Sequence, residues 1–585
     1  MSKLEPLSPP LARPLRLWPG VVLALLLLTV RYIVPSFAPG ALIYGILGAF
    51  VGALLILLWW LFLSRAPWSE RLGALALGVA GMAAAFPFLH VSVARGNMGF
   101  QYILHGVPVL SLAVVVGAAA GQYLEKGRRL SNGWRRATMA GALLLASGAW
   151  LLLRSNGVTG DGMAEFTWRW TETAEERLLS SAHGELRSSA LTGESGQEAG
   201  SSWPGLRGPN RDGIVTGLHL ATDWTRSPPV ELWRRPIGPG VSSFAVQGKL
   251  LYTQEQRGDD ELVAAYHLET GEPVWQHHDT ARFWDPHVGA GPRATPAVAG
   301  GRIYTLGATG ILNALDADTG KVVWSRDAAA DGGGKPPVWG FVSSPLVAGD
   351  LLVVQAGSLV AYDLATGEPR WHGPAKRGSY SSPHLMTLGG VPQILLLGHG
   401  ATISVSPADG SLLWEHPWEG IGIVQPARIA DGDLLISLVD SAASPIGTRR
   451  IAVASGAGGW TVEERWTTRA LKTSFSDVVV HRGRAYGFDG SILASIDLET
   501  GERLWKGGRY GEGQLLLLPD RDLLLVLTEQ GEVALVEASP ERFVELARLP
   551  VLAAKTWSQP TLVGDVLLVR NGEEMAAFRL PKEAT

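Results

Sequence analysis

The 585-residue chain contains no cysteine. That absence removes disulfides, thiolate nucleophiles, Cys-ligated zinc, iron–sulfur clusters and haem attached through CxxCH in one step. A surplus of either charge is missing too: 50 Lys and Arg face 54 Asp and Glu, a net of -4, so nucleic acid is not expected as a partner. Several catalytic signatures are also lacking. There is no HExxH, GxSxG or phosphate-cradling P-loop and no dense His/Asp cluster, so neither catalytic residues nor metal ligands are assigned. The adjacent His277 and His278 point to opposite faces of a strand and make a poor chelate.

What is present divides the chain in two. Residues 1–153 are dominated by Leu, Ala, Val and Gly, whereas charges, prolines and repeats crowd the part after about residue 200. Five apolar runs, at 17–34, 41–63, 72–94, 101–124 and 137–153, reach or approach the roughly 20 helical residues that cross a hydrocarbon layer. A transmembrane domain of about five helices is therefore expected over 1–153. Ser36-Phe37-Ala38 loosely resembles a signal-peptide cleavage site, but Pro39 argues against cleavage and four further runs would anchor the chain.

Basic residues orient such a bundle, because basic loops stay cytoplasmic. With the N-terminus inside, the inner segments hold Lys3, Arg13, Arg16, Arg65, Arg71, Lys126, Arg128, Arg129, Arg135 and Arg136, and the outer ones only Arg31 and Arg95. The expectation is a multi-pass protein of a bacterial inner membrane, its N-terminus cytoplasmic and everything after Leu153 periplasmic. His90 and His105 read as interfacial side chains, with a quinone or proton site as the alternative. Residues 154–202 read as a juxtamembrane connection: FTWRWTETAEERLL (166–179) as an interfacial helix, then a Gly, Ser and Glu rich flexible linker.

The region 203–585 repeats itself. ALDADTGKVVW ends at Trp324, and close variants end at Trp275, Trp371, Trp414 and Trp505. Each repeat reads as two strands about a Gly turn, a third strand, then Asp-Thr-Gly and a short fourth strand ending in Trp. Gly271, Gly320, Gly367, Gly410 and Gly501 fall where a tight hairpin needs positive φ, and the acidic residue or Thr just before can bond the turn. Four strands every 40 to 50 residues signify a β-propeller. Units at 240–277, 291–327, 340–372, 378–416, 420–469, 471–509 and 511–551 are followed by an eighth with only three strands. VELWRRPIG, with Trp233, supplies the missing one, so the fold expected is an all-β eight-bladed propeller closed by an N-terminal strand. The fifth unit is stretched by SAASPIGTRR, and the seventh has ASPERFVELAR in place of the turn motif. The periodic tryptophans, including Trp466, are expected to pack between blades rather than bind ligand.

These ALDADTGKVVW-type units resemble the repeats of the pyrroloquinoline quinone (PQQ) propeller superfamily over about 202–580. The resemblance implies one of two branches. One is non-catalytic, exemplified by the propeller lipoprotein of the outer-membrane β-barrel assembly machinery; the other comprises quinoprotein dehydrogenases. WPGLRGPNRDG (203–213), with GPRATPAV and LGATG, also resembles membrane-associated PQQ-like repeat proteins. The plan of membrane spans followed by an outward propeller is similar to membrane-bound glucose dehydrogenase, although this propeller is compact and that enzyme's cofactor motifs have no residue-by-residue counterpart here.

A propeller's natural site is the funnel at one end of its channel. Arg293-Ala294-Thr295-Pro296, Ser343-Ser344-Pro345, Ser381-Ser382-Pro383 and Ser558-Gln559-Pro560 open their units' first strands and would ring that channel with hydroxyls. Glu255, Arg257, Arg293 and Lys472 are the charged outliers suited to an anion such as a carboxylate, with structural ion pairing as the alternative. Trp284, His287, Trp339 and Trp557 fall outside the packing positions and would wall the funnel. Two functions remain open from the sequence: a membrane-anchored scaffold for an envelope protein or ligand, or a dehydrogenase using PQQ with calcium to feed membrane quinone.

Overall fold

The computed structural model describes residues 14–37, 41–127, 133–160, 163–182, 202–374, 378–439 and 445–583. Contacts divide the chain into two compact units, one of residues 1–158 with 162–171, the other of 159–161 with 172–585.

The first unit is helical. Three helices are long and apolar enough to cross a membrane, Tyr44–Leu63, Trp68–Phe88 and Gln101–Leu124, fewer than the five expected. The first expected span is a shorter apolar helix, Leu17–Ile33. The fifth is a 16-residue helix, Gly133–Gly148, which passes through a 3₁₀ turn into a strand, Leu153–Val158. Two arginines near its start, Arg135 and Arg136, interrupt its apolar character. Arg135 is buried and grips Glu70 through both guanidinium edges, Nε to Oε2 at 2.6 Å and Nη2 to Oε1 at 2.8 Å. Of the residues that orient the bundle, Lys3, Arg13, Arg128 and Arg129 lie outside the described residues. Of the interfacial helix expected over 166–179, Phe166–Trp168 ends a strand, Ala164–Trp168, paired with Leu153–Val158, and only the part from Ala174 onward is helical.

The second unit is an eight-bladed propeller. Six consecutive four-stranded sheets run from Ala297–Ala299 to Glu545–Pro550. The eighth joins the last three strands to Val230–Pro236, with Trp233 opposite Ala577, as the truncated final repeat requires. The first has five strands, because Ser202–Trp203 adds to the inner side of Ala245–Gln247. Blades bury both faces against their neighbours, so middle strands such as Leu523–Leu527 are apolar throughout rather than alternating.

The repeat motif closes the rim. The indole N–H of Trp233 donates to Leu268 O (2.9 Å), Trp275 to Ala317 O (2.8 Å), Trp371 to Pro407 O (3.0 Å) and Trp466 to Leu498 O (3.1 Å), each in the turn of the next blade. That turn's glycine lies under the same indole. Gly367 has φ +74°, and a Cβ there would come within 2.6 Å of Trp324, so both the backbone and the packing exclude a side chain. The Thr or Asp just before the glycine bonds the turn backbone as expected, Glu502 N to Thr500 Oγ1 (3.2 Å) and Ser411 N to Asp409 Oδ1 (3.1 Å), and a second carboxylate four residues ahead of the glycine adds to it: Asp316 Oδ1 accepts Thr319 N (2.9 Å) and Oγ1 (2.6 Å). Trp414 departs from the pattern and donates to Gln393 of its own blade (2.7 Å), since the following blade has no Asp-Thr-Gly turn. In the seventh blade Phe543 packs on Trp505 (5.8 Å) and Ser539 O accepts its N–H (2.7 Å).

A helix, Ala174–Ala182, docks on blade 1. A Thr173/Glu176 capping box starts it, and Glu175 takes both Arg282 amines (2.7 and 2.9 Å) and Gly258 N (2.9 Å). Most of the expected flexible linker, 183–201, falls outside the described residues.

Candidate functional site: the central channel

The first strand of each blade lines the channel, and a closed hydrogen-bonded ring links all eight. Ser243 N donates to Thr295 Oγ1 (3.2 Å), Thr295 N to Ser344 Oγ (2.9 Å) and Ser344 N to Ser382 Oγ (2.9 Å). In the orientation that satisfies both its ends, the Gln425 amide spans Ser382 O (2.9 Å) and N (3.0 Å), while Gln425 N donates to Asp477 Oδ1 (2.6 Å). Gln559 Nε2 then reaches Asp477 Oδ2 (3.1 Å) and Gln514 Oε1 (2.6 Å), and Ser243 Oγ closes the circle on Gln559 O (2.5 Å). The hydroxyls expected to face a ligand thus join blade to blade.

At the mouth where these strands begin, the four charged candidates fall into three separate clusters. Glu255 is fully buried and accepts from Gly238 N, Tyr266 OH (3.1 Å) and Arg257 Nη2 (3.0 Å). Arg570, equally buried, donates to Thr253 Oγ1 (2.8 Å) and Gln254 O (2.7 Å), sealing blade 8 to blade 1. On blade 2, Arg293 pairs with Asp285 (2.6 Å) and with the carbonyls of Gly289, Ala290 and Gly291 (2.7, 3.1 and 2.6 Å). Burial opposes the Asp285 carboxylate, but His287 and Arg293 hold it below its ordinary range. Burial pushes the nearby Glu261 carboxyl up to about 7. Lys472, ahead of blade 6, meets Asp489 (3.3 Å), which Arg503 and Lys506 share (2.6 Å each).

The aromatic candidates do converge. Trp339 packs on Tyr380 (4.7 Å) and edge-on to Phe475 (6.1 Å), Phe475 stacks on Trp557 (5.7 Å), and Lys555 sits over Trp557 (4.1 Å). Trp557 Nε1 donates to Glu529 (2.8 Å), which also accepts Gly160 N (2.6 Å). Trp284 lies in a two-residue strand paired with Gly289–Ala290, beside His287. PQQ with calcium needs oxygen ligands and cations around one pocket. The four charged candidates instead stand on blades 1, 2 and 6 with partners of their own, and the described residues hold no group of three or more His, Asp or Glu placed for a metal. This arrangement does not fit that cofactor.

The opposite mouth carries what the sequence reading missed. WPGLRGPNRDG runs across it as a plug. Arg207 pairs with Asp477 of the ring (2.7 Å), Arg211 donates to Pro345 O (2.8 Å) and Ser344 O (3.0 Å), and Ile214 bridges to Leu517. Arg207 and Arg211 have φ of +58° and +57°, a conformation uncommon outside glycine and worth noting where two buried guanidiniums depend on it. Beside the plug a cavity of about 910 Å³ opens against the first strands of blades 3 to 6. His384 lies in its wall, where burial and the Arg211 and Arg207 charges push the imidazole down to about 3. The available signal was the pair of arginines in a Gly-rich segment just ahead of the first blade.

Residues 259–431 match the PQQ_2 family model, described as outer membrane protein assembly factor BamB. BamB of Shewanella oneidensis is 26% identical over 378 residues, covering 60% of this chain and 88% of that protein. BamB of Burkholderia pseudomallei is 25% identical over 336 residues, covering 48% and 84%. Among solved structures, BamB from Moraxella catarrhalis covers 60% of this chain and 100% of its own at 14% identity and a TM-score of 0.43. The quinohemoprotein alcohol dehydrogenase from Comamonas testosteroni covers 66% and 81% at 12% identity and a TM-score of 0.46. Residues 259–431 of this eight-bladed propeller are thus similar to PQQ-like repeats.

Proposed function

We propose that this protein is a binding scaffold of the bacterial envelope, a propeller held at the inner membrane by its apolar helices and facing the periplasm, where it engages a protein of outer-membrane assembly. The observation that carries this reading is the similarity to assembly factors along 84–91% of their own lengths. The separate ion pairs of the four charged candidates at the aromatic mouth support it over PQQ chemistry, which needs such groups to converge on one pocket. A photo-crosslinking amino acid at exposed position 210, on the plug, tests it in intact cells. The expected product is a specific adduct with an envelope assembly protein. No adduct, together with a saturable thermal shift from PQQ and calcium on the purified full chain, would overturn the reading in favour of the dehydrogenase.

A further inference from the structure

The cavity beside the plug has an unusual charge balance. Four arginines line it, Arg207, Arg211, Arg428 and Arg482, against one acid, Asp212. Arg207 and Arg482 have carboxylate partners in Asp477 and Asp522 (2.7 Å each). Arg211 and Arg428 have none among the described residues. Arg428 is exposed, but Arg211 is buried, its Nε lacks any acceptor, and only two carbonyls meet its remaining N–H groups. Desolvation alone lowers its pKa to about 10. A buried cation without a counter-ion is costly, and a ligand carboxylate supplies one. His384, 4% exposed, adds an Nδ1 with no partner.

The wall also offers backbone. His384–Leu388 is the innermost strand of blade 4, paired only with Val391–Leu397 through a two-residue Gly389-Gly390 turn. In such a hairpin the closing pair is hydrogen-bonded and the pattern alternates, so the N–H and C=O groups of Leu385 and Thr387 face the channel. The chain already uses this kind of edge: Ser202–Trp203 adds a strand to the innermost strand of blade 1. A volume of about 910 Å³ is far beyond a single inorganic anion and within the range of ligand-sized clefts.

We propose that this cavity docks an extended acidic segment of a partner protein, its backbone added to the free edge of His384–Leu388 and its carboxylates met by Arg428 and Arg211. The inference rests on the scaffold reading and names the partner's chemistry. The probe is a fluorescein-labelled pentapeptide alternating leucine and glutamate, followed by anisotropy on the full chain in detergent, with its glutamine counterpart as control. Arg428→Gln, at an exposed position, leaves the fold intact. Leu385→Pro removes one channel-facing N–H from an edge strand that tolerates proline there. The expected result is binding that weakens about tenfold for Arg428→Gln, which loses one charge-assisted contact, more than that for the glutamine peptide, which loses both, and about threefold or more for Leu385→Pro, which loses a neutral backbone bond. Three outcomes overturn the inference: no binding at about 1 mM, equal affinity for the glutamine peptide, or equally strong displacement by inorganic phosphate. If the crosslink at position 210 persists while the peptide fails, this inference falls alone; if both fail, the scaffold reading falls with it.

Discussion

The propeller is fastened twice, at its rim and at its axis, and the two fastenings differ in kind. The rim repeats one device, an indole of one blade over the turn glycine of the next. The axis mixes four residue types, Ser243, Thr295, Ser344, Ser382, Gln425, Asp477, Gln514 and Gln559, in one hydrogen-bonded ring. Interchangeable contacts hold the blades together. More varied ones line the channel, where Arg207 ties the plug to the ring.

Substitutions test that contrast. At the rim, Trp324→Ala should cost about 3–5 kcal/mol by removing a large buried aromatic, and Trp371→Ala about as much; chemical denaturation that separates the two widely would break the equivalence of the latches. At the axis, Arg207→Ala should cost about 3 kcal/mol, because it strands buried Asp477. Asp477→Ala should cost at least as much, because it removes the acceptor of Gln425 N and Gln559 Nε2 as well as the partner of Arg207; a clearly smaller loss in chemical denaturation would take Asp477 out of the ring. Thr295→Val removes a single ring acceptor and should cost about 1 kcal/mol, with hydrogen exchange quickened at the Ser243 amide.

The smallest effect is a slope. His384 is held neutral in the fold with a pKa near 3 against an ordinary 6.5, so the unfolded chain binds its proton first. Its contribution is complete above pH 6.5 and is lost as pH falls toward 3; His384→Gln should flatten the fall in melting temperature across that window. An unchanged slope would remove His384 from the axis account.

The rim was legible because repetition makes its own alignment: a Gly and a Trp recurring at fixed spacing gave the blade count, and the incomplete eighth unit pointed to Trp233. Periodicity also separated packing tryptophans from Trp339 and Trp557, which do meet in one aromatic cluster. The axis was legible only in part: Thr295, Ser344, Ser382 and Gln559, each just before a proline, were read as ringing the channel, but a hydroxyl facing a neighbour reads the same as one facing a ligand, and Asp477 and Gln514 lack that proline. Arg293 and Lys472 looked like partners for one anion, but they stand on blades 2 and 6 of an eight-membered ring, which no local spacing reveals. The helical unit misled in another way: hydropathy counts apolar residues, but the helix that carries the fifth run has only 16 residues, Gly133–Gly148, and holds Arg135 paired with Glu70 of Trp68–Ala85.

The strand that completes blade 8 imposes a timetable. Val230–Pro236 precedes the four-stranded core of every blade, yet its partner Glu574–Arg579 follows seven of them; Arg234 and Glu574, which join across that pairing, are 340 residues apart. At about 5–20 residues per second, the interval during synthesis is on the order of tens of seconds. Throughout it the first strand has an unpaired edge, and the ring has no closed form to settle into. Closure therefore waits for Glu574–Arg579, and a ring without that strand keeps an open seam beside Val230–Pro236.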